Sequence, residues 1–303
     1  MHTQLDEMRA LTASAKNERT ETGIPRVAMV QGEIPQHRLA AVYDPMINLI
    51  LQGSKSLTVG TQTLHYDPAT YFVMSIDLPA VGKVRPDPYG APYLAVSLTL
   101  DPTLLGSLLA DLPPVAGEHR DAGFSVAAVT PELLDAWLRM LRLIDRPKDI
   151  AALAPAYERE ILYRVLQGPH GWMLRDIASP DTALARVNLA IQWIRRHFAE
   201  PLRTEFLAEK ATMSVSAFHR HFKAVTALSP LQFQKQVRLL HARALLVSAG
   251  RSVTAAAMDV GYESPTQFSR EYARAFGLPP TKDIDRIVPR VRLDHGRTRT
   301  ASN

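Results

Sequence analysis

The sequence predicts an α+β protein: a domain of short β-strands with helices, then an all-α domain of two helix-turn-helix units joined by a long helix. Three observations carry this. From Gly23 to about Leu100, alternating apolar runs are punctuated by prolines at 68, 79, 86, 88 and 92, which favours many short strands. From Arg186 onward the apolar spacing is helical. Within that half one phrase occurs twice, fifty residues apart: Ser214, Phe218, Arg220, Phe222, Leu228 and Pro230 are answered by Ser264, Phe268, Arg270, Tyr272, Leu278 and Pro280. A tandem of such helices, each with an arginine beside its apolar face, suits the reading of two neighbouring DNA grooves.

In order along the chain, residues 1–22 carry Asp6, Glu7, Glu18 and Glu21 without an apolar core segment, so they are expected to be a flexible arm and not a secretory signal. Leu57–Val59 and Gln62–Tyr66 flank Gly60-Thr61 as a hairpin, and strands follow over 71–74 and 93–100. A compact barrel or sandwich is the matching architecture. Asp101-Pro102 opens a helix with Leu104, Leu105, Leu108 and Leu109; Pro113–Gly123 is a loop. Thr130-Pro131 opens a second helix, and a third runs from about Pro155 to Gln167, stopping at Gly168-Pro169. These two amphipathic helices pack on the sheet or form a dimer face. The first domain is thus 23–168, and 169–185 is expected to be the linker.

The second domain, 186–290, starts with a helix over 187–198 with Leu189, Ile191, Trp193 and Ile194 as apolar positions. The first helix-turn-helix spans about 204–226, a long helix 231–248, and the second helix-turn-helix about 254–277, before a tail at 291–303.

The net charge of +5 is unevenly placed. Residues 1–185 hold 16 Lys/Arg against 21 Asp/Glu, residues 186–290 hold 16 against 8, and the tail 3 against 1. The duplicated region is the basic one, which favours a polyanion partner without specifying a sequence. Cysteine is absent, excluding disulfides, thiolate metal sites and cysteine nucleophiles. No apolar run reaches the eighteen or so residues of a membrane helix. The expected location is the cytoplasm.

The chain resembles the AraC/XylS family of transcription regulators. The resemblance rests on Leu207-Ala-x-x-Ala211-x-x-Ser214, Phe218-x-Arg220-x-Phe222-Lys223, Leu228-Ser-Pro230, Arg238-Leu-x-x-Ala242-Arg-x-Leu245-Leu246, Val253-x-x-x-Ala257-x-x-x-Gly261-Tyr262 and Phe268-Ser-Arg270-x-Tyr272. The first domain is similar to the subgroup with an AraC-type N-terminal domain, through Tyr43-Asp-Pro45, Gln52-Gly-x-Lys55, Ser75-x-Asp77-Leu-Pro79, Pro92-Tyr-Leu94 and Ile161-Leu-Tyr163. That resemblance implies a cupin-like barrel, double-stranded DNA as partner, a small-molecule effector, a homodimer and, for an activator, RNA polymerase. The family pattern has glycine where Ala227 stands, ahead of a left-handed turn, at a cost of roughly 1 kcal/mol if that backbone is kept. It also has a tyrosine-arginine ending, of which Thr281–Arg286 lacks the tyrosine.

In a helix-turn-helix the early part of the second helix enters the major groove. Ser216, His219 and Arg220 fall on one side of theirs, and Thr266, Gln267, Ser269 and Arg270 are the counterparts. Arginine pairs bidentately with guanine and glutamine with adenine; phosphate contact or an internal ion pair is the competing role for Arg220 and Arg270. Lys223 and Lys210 are backbone contacts or solvated charges, and Ser214 and Ser264 are helix caps. In the strand domain Tyr43, Tyr66, Tyr71, Phe72, Met74 and Tyr93 are candidates to line an apolar pocket, or ordinary core aromatics. No catalytic residue, metal or cofactor is expected. His219 and His221 diverge on a helix, and His37 and His65 are isolated. The rival reading, a metal-dependent cupin enzyme fused to a DNA-binding domain, lacks clustered ligands. A repair alkyltransferase lacks its cysteines.

Overall fold

The computed structural model describes residues 2–33, 39–68, 70–113 and 122–287. They fall into two compact units, Met1–Leu240 and His241–Asn303. The expected linker at 169–185 is therefore not where the chain divides; the division runs through the long helix.

In the larger unit α1 (His2–Leu11) turns the expected arm into a packed element. Leu5 and Met8 are one helical turn apart and both buried, and Arg9 Nε donates to Leu51 O at 2.9 Å. The strands are β1 (Thr20–Glu21), β2 (Val27–Gln31), β3 (Ala40–Tyr43), β4 (Met46–Gln52), β5 (Ser54–Val59), β6 (Gln62–Tyr66), β7 (Thr70–Met74), β8 (Leu78–Arg85), β9 (Leu94–Thr99) and β10 (Phe124–Ala128). A six-stranded antiparallel sheet, β1-β2-β9-β4-β7-β10, and a four-stranded one, β3-β8-β5-β6, share one apolar core.

The hairpin at Gly60-Thr61 is as expected, with Val59 opposite Gln62 and Gly60 at φ 57°. Glycine is required there twice over, because a Cβ would lie 2.7 Å from Ala227 O. Pro79 lies inside β8, not between strands. A strand the sequence did not single out, β10, follows the segment read as a loop and pairs with β7 from Phe124 opposite Met74.

Helix α2 (Pro102–Ala110) is capped by Asp101, which accepts from Thr103 and Leu104 N–H, and α3 (Pro131–Leu141) by Thr130. Helix α4 (Ile150–Gln167) begins five residues before Pro155, which lies inside it. Proline sits there one and a half turns from the start, forfeiting only the bond to Ala151 O. Helix α5 (Gly171–Ala178) buries Met173 and Leu174 in the stretch expected as linker. In α6 (Ala183–Arg196) the inward residues are Leu184, Val187, Ala190, Ile191 and Ile194, while Leu189, expected inward, is exposed. Then come α7 (Thr204–Lys210), α8 (Val215–Thr226) and α9 (Pro230–Ser248), which carries the chain across the division.

The smaller unit continues with α10 (Val253–Asp259), α11 (Pro265–Phe276) and α12 (Pro280–Ile287). Helix α12 was not expected. It is fixed by Asp283, fully buried, which takes Arg243 Nη2 at 2.8 Å, Arg286 Nη2 at 2.8 Å and the Tyr272 hydroxyl at 2.8 Å. Burial and that carboxylate push the Tyr272 phenol up.

Candidate nucleic-acid interface

Each helix-turn-helix is built from a short helix, a tight turn and a capped second helix. In the first, Ser214 caps α8 by accepting from Ala217 N–H at 3.3 Å. Phe218 and Phe222 are fully buried one turn apart, with ring centroids at 5.4 Å. That inward pair turns the opposite side of α8 to solvent, and Ser216, His219, Arg220 and Lys223 are all exposed on it. The Arg220 guanidinium meets no carboxylate among the described residues; its neighbour is His221 Nε2 at 3.4 Å. An internal ion pair is thus not its role here. Lys210 sits over the Phe206 ring at 4.8 Å.

Helix α8 ends in the left-handed turn expected of it, with Ala227 at φ 59°. The strand domain reaches this end: Gly123 N–H donates to Val225 O at 3.0 Å, and the Gly60 hairpin touches Ala227. On α6, Arg195 and Gln192 both bond Asp77, which is almost fully buried, and Arg195 also pairs with Asp44 at 3.0 Å. Burial raises the Asp77 carboxyl to about 6 against the pull of Arg195.

The second copy repeats the plan with one more residue in its turn. Met213 N–H and Tyr262 N–H make the same bond back into the preceding helix, 49 residues apart, whereas the capping serines are 50 apart. Gly261, at φ 85°, takes the left-handed position that Thr212 holds at φ 51° in the first turn. Phe268 and Tyr272 face inward, and Thr266, Gln267 and Arg270 are exposed, with Ser269 half-buried. Gln267 donates to Glu271 at 3.2 Å, so one N–H of its amide is engaged within the helix. Arg270 has no carboxylate partner among the described residues. The eight groups selected from sequence therefore form two short polar faces, one on each second helix.

A cavity of about 450 Å³, open to solvent on one side, lies between β2, β9 and β4 of one sheet and β3 and β5 of the other. Of the six aromatic and methionine candidates only Tyr43 and Tyr93 line it. Tyr66 borders a separate cavity of about 150 Å³ and stacks on Phe72 at 5.3 Å. Tyr71 packs edge-on to His170 at 5.0 Å, and Phe72 and Met74 are core. The buried polar residues of the lining, which sequence reasoning passed over, are Lys55 and Asn48. The alternation of β5 was the available signal for Lys55, since it puts that residue on the face of Leu57 and Val59. Among the described residues no group of three or more His, Asp or Glu forms a metal-binding set, and no helix is long and apolar enough to cross a membrane.

Two family profiles match the chain: the AraC-type transcriptional regulator N-terminus over residues 23–173, and a helix-turn-helix domain over 207–286. The HTH-type transcriptional activator RhaS of Escherichia fergusonii is 28% identical over 172 residues, covering 56% of this chain and 59% of RhaS, so the chain spans under two thirds of that relative. The DNA-binding domain of AdpA, solved with a target DNA, is 31% identical over 36% of this chain and 97% of that one, with a TM-score of 0.32. Apo ToxT of Vibrio cholerae shares the fold at a TM-score of 0.55 and 9% identity, over 89% of this chain and all of ToxT. With the two-sheet domain matched by one profile and both helix-turn-helix units by the other, the chain belongs to the AraC family of transcriptional regulators.

Proposed function

We propose that this protein is a sequence-specific regulator that binds double-stranded DNA through α8 and α11 and takes a small effector in its sandwich domain. The observation that carries the reading is the pair of exposed polar faces, each with an arginine free of carboxylates, in the most basic part of the chain. Ser216, His219 and Arg220 on one helix, and Thr266, Gln267, Ser269 and Arg270 on the other, are the proposed base contacts, with Lys223 on phosphate. The two faces differ in chemistry, so the site should hold two unlike blocks about one helical turn apart.

RhaS is named an activator, which supports activation, and hence contact with RNA polymerase, as the output in the cytoplasm. The α3–α4 pair, where α4 exposes Leu153 and Tyr163, is the face proposed for a homodimer. An unsaturated fatty acid is bound to ToxT in one of its structures; at 9% identity that likeness carries the fold and leaves the effector of this chain to be argued from its own cavity. No enzymatic role is proposed.

Selection of tight binders by the full-length protein from a random duplex pool tests the reading. The expected result is two distinct conserved blocks and an affinity that falls steeply with salt. A single block, or no enrichment at low salt, would overturn it.

A further inference from the structure

Lys55 is where the cavity departs from an apolar core. On β5 it shares the inward face with Leu57 and Val59, so a lysine stands where the alternation calls for an aliphatic side chain. It is only 8% exposed, and among the described residues its ammonium has no hydrogen-bond or ion-pair partner. Its close neighbour is the Tyr43 ring, 4.9 Å away at the centroid. Gly82 on β8 leaves the room for this pair: a Cβ there would lie 3.0 Å from Tyr43 Oη and 3.1 Å from Lys55 Cε. In the same cavity Asn48 is buried, donates to Val96 O at 3.1 Å and keeps its Oδ1 without a partner. Burial pulls the Lys55 amine down to about 8, so it remains largely cationic at neutral pH.

A buried ammonium without a counter-charge is unfavourable, and a bound anion relieves it. The geometry points to an organic monocarboxylate with an apolar body as the ligand of this cavity, its carboxylate on the Lys55 ammonium and its body along Met29, Val30 and Ala95. The volume lies in the range that small organic ligands occupy. Lys55 is the buried cation of the lining, since Arg19, also at its edge, is exposed and pairs with Glu21 at 2.8 Å; with Glu18 and Asp44 there as well, the site matches a single negative charge better than a phosphate dianion. This rests on the effector reading above and names the chemical class that reading leaves open.

The test titrates the full-length protein calorimetrically with two matched sets, 2-naphthoate against 2-naphthamide and decanoate against decanamide. At least one acid should bind tenfold or more tightly than its amide and raise the melting temperature. Lys55→Met should erase that preference and Lys55→Arg should keep it. Equal affinity for acid and amide, or no binding of either acid, would overturn the proposal on the unaltered protein, whether or not Lys55→Met folds. So would tighter binding of 2-naphthaldehyde with borohydride-trapped attachment at Lys55, which would make the amine a nucleophile. DNA affinity measured with and without the acid separates the two readings: an acid preference that persists without any change in DNA affinity supports the anion anchor and removes the effector role.

Discussion

Asp283→Ala should unfold the second helix-turn-helix while sparing the first. The carboxylate is fully buried and takes three hydrogen bonds, from Arg243 Nη2 at 3.1 Å and from Arg286 Nη2 and the Tyr272 hydroxyl at 2.8 Å each, while its Oδ2 also lies 2.8 Å from Arg243 Nη2 in the same ion pair. Arg243 is itself nearly buried, against the Phe276 ring at 4.3 Å, so removing Asp283 strands a cation in the core. Breaking one side of such a pair costs about 3–5 kcal/mol. At roughly 0.05–0.15 kcal/mol per residue, the described part of this unit, about 47 residues, has only about 2–7 kcal/mol to lose. Asp283→Asn keeps the size and one acceptor and should lose less, about 2 kcal/mol.

The assay follows from where the tryptophans lie. Trp137, Trp172 and Trp193 all belong to the larger unit, so indole fluorescence follows that unit and far-UV circular dichroism follows helix in both. In a urea titration the variant should show an early loss of helical signal, with the fluorescence midpoint within about 0.5 kcal/mol of the parent. The selected DNA should keep the block read by α8 and lose the other. A change below about 1 kcal/mol in both signals would refute the reasoning, because a carboxylate that dispensable cannot be holding α12 against α11.

Arg220→Ala and Arg270→Ala should each relax sequence preference at one block by about 1–3 kcal/mol, whereas Lys223→Ala should weaken all duplexes alike; equal losses on selected and random DNA would reassign both arginines to phosphate. Ala227→Gly should stabilise the larger unit by about 1 kcal/mol in fluorescence-monitored urea unfolding, because Ala227 holds φ 59°; no gain would mean that the turn carries no strain. Asp77 is raised to about 6 in the folded protein from 3.8, so the folded state keeps a proton that the unfolded state releases, and stability should fall as pH rises from about 4 to 6. Asp77→Asn should flatten that slope relative to the parent, and an unchanged slope would exclude Asp77 as its source.

How much was legible in the sequence depended on whether one local pattern determined the outcome. The Phe218–Phe222 and Phe268–Tyr272 pairs fixed both second helices and, by exclusion, their polar faces, and Ser214, Ser264, Asp101 and Thr130 marked real caps. Strand β4 left no alternation to find, because it lies between β7 and β9 and its residues from Ile47 to Leu51 are buried on both faces. Helix α12 was hidden by its polarity: what holds it is the buried Asp283, and a charged residue in a short polar segment looks solvated until its partners, forty residues back in Arg243 and eleven in Tyr272, are brought to it. The cavity was misjudged for the opposite reason. Aromatic residues were weighed by type, yet Phe72 and Met74 are core, while Lys55 lines the cavity through strand register alone.

The cavity and the first reading helix belong to one contiguous set of contacts. Asp44 lines the cavity and pairs with Arg195 of α6, Arg195 also holds Asp77, and the Gly60 and Gly123 backbones meet the end of α8. Contiguity supplies a route; a ligand uses it only if it binds two arrangements of that set with different affinity. Such a difference is reciprocal. If the acid bound at Lys55 changes the affinity for DNA by some factor, DNA must change the affinity for the acid by the same factor. Because these contacts end at Val225 and Ala227, the factor should shrink when the block read by α8 is scrambled and survive when the other block is.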